Sequence, residues 1–138
     1  MKRSSSQEKS AMTIGQVAER CGLRASAIRF YERSGLLPEP LRCSGQRRYG
    51  SQVLERIAVL EFAKRCGFTL AEARHLLTAF PESAPLSERL EGIAQKKITE
   101  LDEKAVRISV MKERIERATA CVCADLRECG RKILERES

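Results

Sequence analysis

Residues 13–37, TIGQVAERCGLRASAIRFYERSGLL, decide the fold. Thr13 can cap a short helix over residues 14–20, in which Ile14, Val17 and Ala18 fall at helical spacing. Gly22 ends it. A second helix runs roughly from Ala25 to Ser34 and stops at Gly35. Its apolar face is Ile28 with Tyr31 nearby, and Arg24, Arg29 and Arg33 lie on other faces. Two short helices across the turn Cys21-Gly22-Leu23 outline a helix-turn-helix.

The next stretch, LLPEPLRCSGQRRYG at 36–50, holds two Pro and two Gly and cannot be one helix. It predicts a small β-hairpin, or wing, with its tip near Ser44-Gly45. Ser51 is expected to cap a helix whose buried stripe is Val53, Ile57, Leu60 and Ala63, ended by Gly67. Thr69-Leu70-Ala71-Glu72 has the form of a capping box and opens a helix to about Phe80. Residues 80–85, FPESAP, read as a linker.

Beyond Pro85 there is no Pro, and only Gly92 before Gly130, so residues 87–120 read as one helix. At 1.5 Å per residue its ~34 residues span ~50 Å. Ala94, Ile98, Leu101, Ala105, Ile108, Lys112, Ile115 and Thr119 alternate at spacings of four and three, a heptad seam with two polar members. The first 80 residues cannot cover such a length, so the seam is expected to pair with itself in a homodimer. The dimer interface is then Ala94, Ile98, Leu101, Ala105, Ile108 and Ile115.

Composition narrows the function. The chain has 138 residues, and no apolar run approaches the ~20 that a membrane span needs. The opening MKRSSSQEKS lacks the apolar core of a secretion signal and reads as a disordered basic arm, residues 1–11, on a cytoplasmic protein. A single His, and no arguable Ser/His/Asp or Cys/His/Asn triad, argues against a hydrolytic enzyme. Residues 1–80 hold 14 Lys and Arg against 7 Asp and Glu, while residues 81–138 hold 12 of each. All of the net charge of +7 therefore sits in the first part, a distribution suited to a polyanion.

With the quoted stretch, QRRY at 46–49 and GFTLAEARHLL at 67–77 complete a pattern that resembles the MerR family of bacterial transcription regulators. The resemblance implies a mainly α chain with four parts. These are the arm, a winged helix-turn-helix DNA-binding domain at 12–81, a dimerisation helix at 86–120 forming an antiparallel coiled coil, and a Cys-rich effector loop and tail at 121–138. It implies that the second helix enters the major groove and that the wing grips the backbone. The DNA-facing set is then Thr13, Arg24, Ser26, Arg29, Tyr31, Arg47, Arg48 and Tyr49. Arg suits this role because its guanidinium fork matches phosphate and guanine edges, and a Tyr hydroxyl can donate to a phosphate. The expected partners are an inverted-repeat promoter operator in double-stranded DNA, RNA polymerase at that promoter, and a second copy of the chain. In this family the effector reorients the two DNA-binding domains, and the bound promoter is bent and untwisted.

Six Cys without a secretion signal point to reduced thiols. Cys121, Cys123 and Cys129 follow the long helix, where the family places its inducer site. The separation of Cys121 and Cys129 is similar to that of the copper-sensing members. The spacing of one residue and then five looks like the last three cysteines of SoxR-type iron–sulfur sensors. Two departures matter. The first SoxR-type cysteine falls at Ala118, and Leu86 and Ser87 stand where divalent-metal members carry a Cys. A [2Fe–2S] cluster wants four thiolates. Three suit a soft thiophilic metal or metalloid ion, which is the expected effector, with [2Fe–2S] or a thiol redox switch acidified by Arg127 or Arg131 as the alternative. A reading of another class, a thiol metal carrier with no regulatory role, leaves the Arg-rich wing without a purpose. Cys21 and Cys66 precede helix-ending glycines and suit small buried positions, Cys43 lies in the wing, and His75 reads as structural or surface.

Overall fold

The structure is a computed structural model that describes residues 11–137. The basic arm expected at 1–11 lies outside these residues except for Ala11. The chain divides into two compact units, one ending at Ala94 and the other beginning at Gln95.

The first unit opens with α1 (Ile14–Cys21) and α2 (Ala25–Arg33). Thr13 caps α1 through a full capping box. Its hydroxyl accepts from the Gln16 N–H, and the Gln16 side chain accepts from the Thr13 N–H. Gly22 closes α1 at φ 66°, a left-handed turn that glycine adopts without a Cβ clash. A hairpin follows, with β1 (Leu41–Cys43) antiparallel to β2 (Gln46–Arg48). Ser44 and Gly45 join the strands with φ of 53° and 78°, both positive, as a two-residue type I′ turn requires. An isolated bridge ties Met12 to Tyr49, so the chain just before α1 extends the wing.

Helices α3 (Gln52–Arg65) and α4 (Leu70–Thr78) complete the core. Val17, Ile28, Leu36, Ile57, Leu60 and Leu76 are sealed from solvent, with Val53 and Ala63 beside them. The Thr69–Glu72 capping box forms as its spacing predicts. Ser51 is a correction: its side chain makes no cap, and the Gly50 carbonyl accepts the Val53 N–H instead. Buried Arg89 pins the connector after α4 by donating to the carbonyls of Leu76, Leu77, Pro81 and Ala84.

The single helix expected over 87–120 is broken. A short α5 (Leu86–Leu90) turns at residues 91–93, and α6 spans Ala94–Thr119. The Glu91 and Ile93 N–H groups bond back to Glu88 and Leu90 in tight turns around Gly92. This break lets Leu90 and Ile93 pack against the N-terminal core. The 26 residues of α6 make a rod of ~39 Å. Leu101, Ile108 and Ile115 of its seam are 41%, 56% and 65% exposed in the single chain. Ile98 and Ala105 are exposed too, whereas Ala94 is half-buried.

Residues 121–137 hold more regular structure than the expected loop and tail. α7 spans Leu126–Glu137 and carries Cys129. Asp125 accepts the Glu128 N–H, and the Glu128 carboxylate accepts the Ala124 N–H, so the helix start is capped from both sides. No helix among the described residues is long and apolar enough to cross a membrane.

Candidate nucleic-acid interface and thiol centre

Arg24, just before α2, and Ser26 and Arg29 within it are exposed, while Ile28 and Tyr31 face the core. The wing keeps Arg47 and Arg48 half-exposed. Arg29 and Arg47 both lie close enough to Tyr49 to act on its hydroxyl electrostatically, so α2 and the wing share a basic neighbourhood. Thr13 is half-exposed, with its oxygen engaged in the α1 cap.

Both tyrosines expected to face DNA are placed in the core. Tyr31 and Tyr49 are each only 3% exposed, and their hydroxyls are occupied by protein groups rather than presented to a phosphate. Tyr31 donates to Glu61 at 2.8 Å and accepts from Lys64 at 2.7 Å. Tyr49 donates to Glu32. Burial, followed by the Glu32 carboxylate, pushes the Tyr49 hydroxyl up to about 12. Their rings add to the core, which is where an amphipathic residue goes when a buried acceptor can take its hydroxyl. Glu32 also faces Arg47, 3.7 Å away, and so orients a wing arginine from the α2 side.

One basic residue escaped the sequence reading. The hairpin register sets Arg42 directly opposite Arg47. Like charges facing across strands repel, a cost that an anionic ligand would remove. The signal was present in the Ser44-Gly45 turn, because a two-residue loop there fixes Arg42 against Arg47.

The thiol centre is built by local geometry. Cys121 follows the end of α6, Cys123 precedes the α7 cap, and Cys129 sits in the first turns of α7. Their three sulfurs lie within 4.8 Å of one another, with Cys121 Sγ 3.9 Å from Cys129 Sγ. The Cys123 N–H, then the Cys129 and Cys123 thiols, hold the Cys121 thiol below the ordinary range. Cys123, burial and Cys121 push Cys129 up to about 11. Cys121 is thus easier to ionise than an isolated thiol and Cys129 harder, as expected where like charges crowd. Lys132 stands by Cys123, whose charge raises the lysine's affinity for its proton, and it also pairs with Glu128 at 3.4 Å.

Such sulfurs fit a soft ion. Around a tetrahedral ion with bonds of about 2.3 Å, sulfurs sit roughly 3.8 Å apart, close to what Cys121 and Cys129 show. A four-thiolate cluster fits less well, since the second unit brings three sulfurs together and Ala118 offers none. Cys21 and Cys66 are half-buried, Cys43 is exposed, and exposed His75 stacks edge-on to Phe80.

Known proteins match this architecture. The family described as MerR HTH family regulatory protein matches residues 12–79, and the one described as MerR, DNA binding matches residues 54–118. The transcriptional regulator HmrR of Rhizobium leguminosarum bv. viciae is 31% identical, covering 86% of this chain and 92% of its own. The mercuric resistance operon regulatory protein of Serratia marcescens is 36% identical over 72% of this chain and 69% of its own. Among solved structures, the transcription regulator PbrR691 from Ralstonia metallidurans CH34, in complex with lead(II), superposes with a TM-score of 0.69. It is 28% identical and covers 92% of this chain and 99% of its own.

Proposed function

The chain belongs to the MerR family of transcription regulators, and from that premise we propose that it is a homodimeric DNA-binding regulator responding to a soft metal or metalloid ion. It is a DNA-binding protein of this family and not an enzyme. The observation that carries the metal reading is the convergence of three sulfurs directly after the long helix. A mercury-resistance regulator among the relatives and a lead complex among the structural neighbours support it.

Arg24, Ser26 and Arg29 of α2 read the major groove, and Arg47 and Arg48, joined by Arg42, hold the backbone from the wing. The exposed seam of Ile98, Leu101, Ala105, Ile108 and Ile115 pairs with a second copy as an antiparallel coiled coil. The operator is an inverted repeat, as a two-fold dimer requires. It lies in a promoter used by RNA polymerase in the cytoplasm.

Cys121, Cys123 and Cys129 hold the ion, which supplies a cross-link between the end of α6 and the start of α7. Cys121, held below the ordinary range, gives its thiolate more readily than Cys129, which must shed a proton to bind. The cross-linked form favours one relative orientation of the two DNA-binding domains over another. Activation is then a population shift, limited by how much more tightly the ion holds the activating form. Promoter distortion follows from that orientation.

Two measurements on the reduced protein test this reading. A gel shift on its own upstream region should show operator binding with or without metal. A reporter in cells should rise with a soft ion for the wild-type protein and stay flat for Cys129→Ser. No operator binding, or a normal response in that variant, would refute it.

A further inference from the structure

A bare aromatic ring stands on the outward face of α2. At about 100° per residue, Ile28 and Tyr31 mark the buried side of the helix, and Ser26, Arg29, Phe30 and Arg33 all lie within roughly 50° of the opposite line. Phe30 is 41% exposed. Resting on the reading that α2 enters the major groove, we propose that Phe30 is a specificity-determining residue, its ring packing on the C5 methyl group of a thymine in each operator half-site.

The length of α2 puts the whole of that face within reach of base edges. The helix has nine residues and is ~14 Å long, against a major groove about 12 Å wide. Among the four unmodified bases, the apolar group presented in that groove is the thymine methyl. An aromatic ring on the same face as Arg29 therefore has one base feature to bury against.

The ring is also backed and flanked for such a contact. It lies against the Tyr31 ring, with centroids 6.0 Å apart and planes tilted by 55°. Tyr31 is held by Glu61 and Lys64 at 2.8 and 2.7 Å, so this backing is fixed. Phe30 lines an open groove with half-buried Leu23 and Ala27 and with Leu70, itself 42% exposed. Arg24 and Lys64 belong to the same groove. Apolar walls with cations beside them match a duplex, whose phosphates are anionic and whose thymines are apolar at C5. Because Phe30 stands outside the sealed core, its substitution separates binding from folding.

The test removes the methyl alone. Deoxyuridine replaces thymidine, one symmetric pair of positions at a time, in a duplex carrying the inverted repeat of the protein's own upstream region. Gel shifts at fixed salt give the affinity of the reduced full-length protein for each duplex. At one pair, uracil should weaken wild-type binding by about fourfold per half-site, the equivalent of one buried methyl. Phe30→Ala should keep the wild-type melting temperature and bind the thymine and uracil duplexes equally. Phe30→Leu, which keeps an apolar side chain, should retain part of the preference. If no uracil position weakens the wild-type protein, or if Phe30→Ala keeps the full thymine preference, the assignment is overturned while operator binding stands. An equal fall for Phe30→Ala on operator and on unrelated DNA, the mark of a backbone contact, would overturn it too. If the wild-type protein binds the upstream duplex no better than unrelated DNA, the major-groove reading of α2 falls as well.

Discussion

The two units of the chain solve the burial problem differently. Leu60, Ile57 and Leu76 in the first are sealed among α1 to α4. In the second, Ile108, Ile115 and Leu134 are 56%, 65% and 70% exposed. A unit that buries its own apolar stripe can fold alone. One that leaves a ~39 Å seam bare gains its packing from association. On the proposed reading the first unit is self-sufficient, and the second completes its packing only by pairing with another copy.

Substitutions in matching positions should break this contrast if it is wrong. The largest effect is expected from Leu60→Ala, which empties a sealed position and should cost about 2–5 kcal/mol of unfolding free energy. Thermal or denaturant unfolding measures it. Leu101→Glu should leave the first unit folded and yield monomers, because a charge in the seam must be desolvated. Sedimentation at the wild-type dimer mass would show that the seam faces elsewhere.

Next in size are the DNA contacts. Arg29→Ala should weaken operator binding by roughly 1–3 kcal/mol and relax preference for the operator over other sequences. Arg42→Ala and Arg47→Ala should weaken all sequences evenly, each lowering the salt slope by about one phosphate contact. Gel shifts over a salt series separate the two behaviours.

The smallest effects compare the same device in both units. Thr69 and Asp125 each cap a helix whose third residue is Glu. Thr69→Ala should cost about 1 kcal/mol of stability, because α4 belongs to the packed core. Asp125→Ala should leave the melting temperature unchanged, since α7 has no buried residue. It should instead loosen metal binding, read by competition with a chelator. A melting shift for Asp125→Ala equal to that for Thr69→Ala would mean that α7 is part of the same cooperative unit.

Much of this was legible in the residues. The Thr13 and Thr69 caps, the Ser44-Gly45 turn and the stripe of α3 rest on local rules, and local rules hold where the chain's neighbours are near in sequence. The break at 91–93 was not legible, because Gly92 alone is tolerated inside a helix. What broke it was tertiary: Leu90 and Ile93 found the core. The burial of Tyr31 and Tyr49 was not legible for a similar reason. Their place beside arginines suggests phosphate contacts, but their acceptors Glu61 and Glu32 became apparent only in three dimensions. α7 was not legible although Asp125-Leu126-Arg127-Glu128 carries a capping signal, because Gly130 within it reads as a helix end. The convergence of the three sulfurs was visible in their spacing, and the distances between them were not.

The most direct test of the account is transcription in vitro from the protein's own promoter, with purified reduced protein and RNA polymerase, with and without lead(II). The account predicts that lead(II) raises the transcript with the wild-type protein and has no effect with Cys129→Ser, while both occupy the operator equally. A rise of the same size with Cys129→Ser would contradict it.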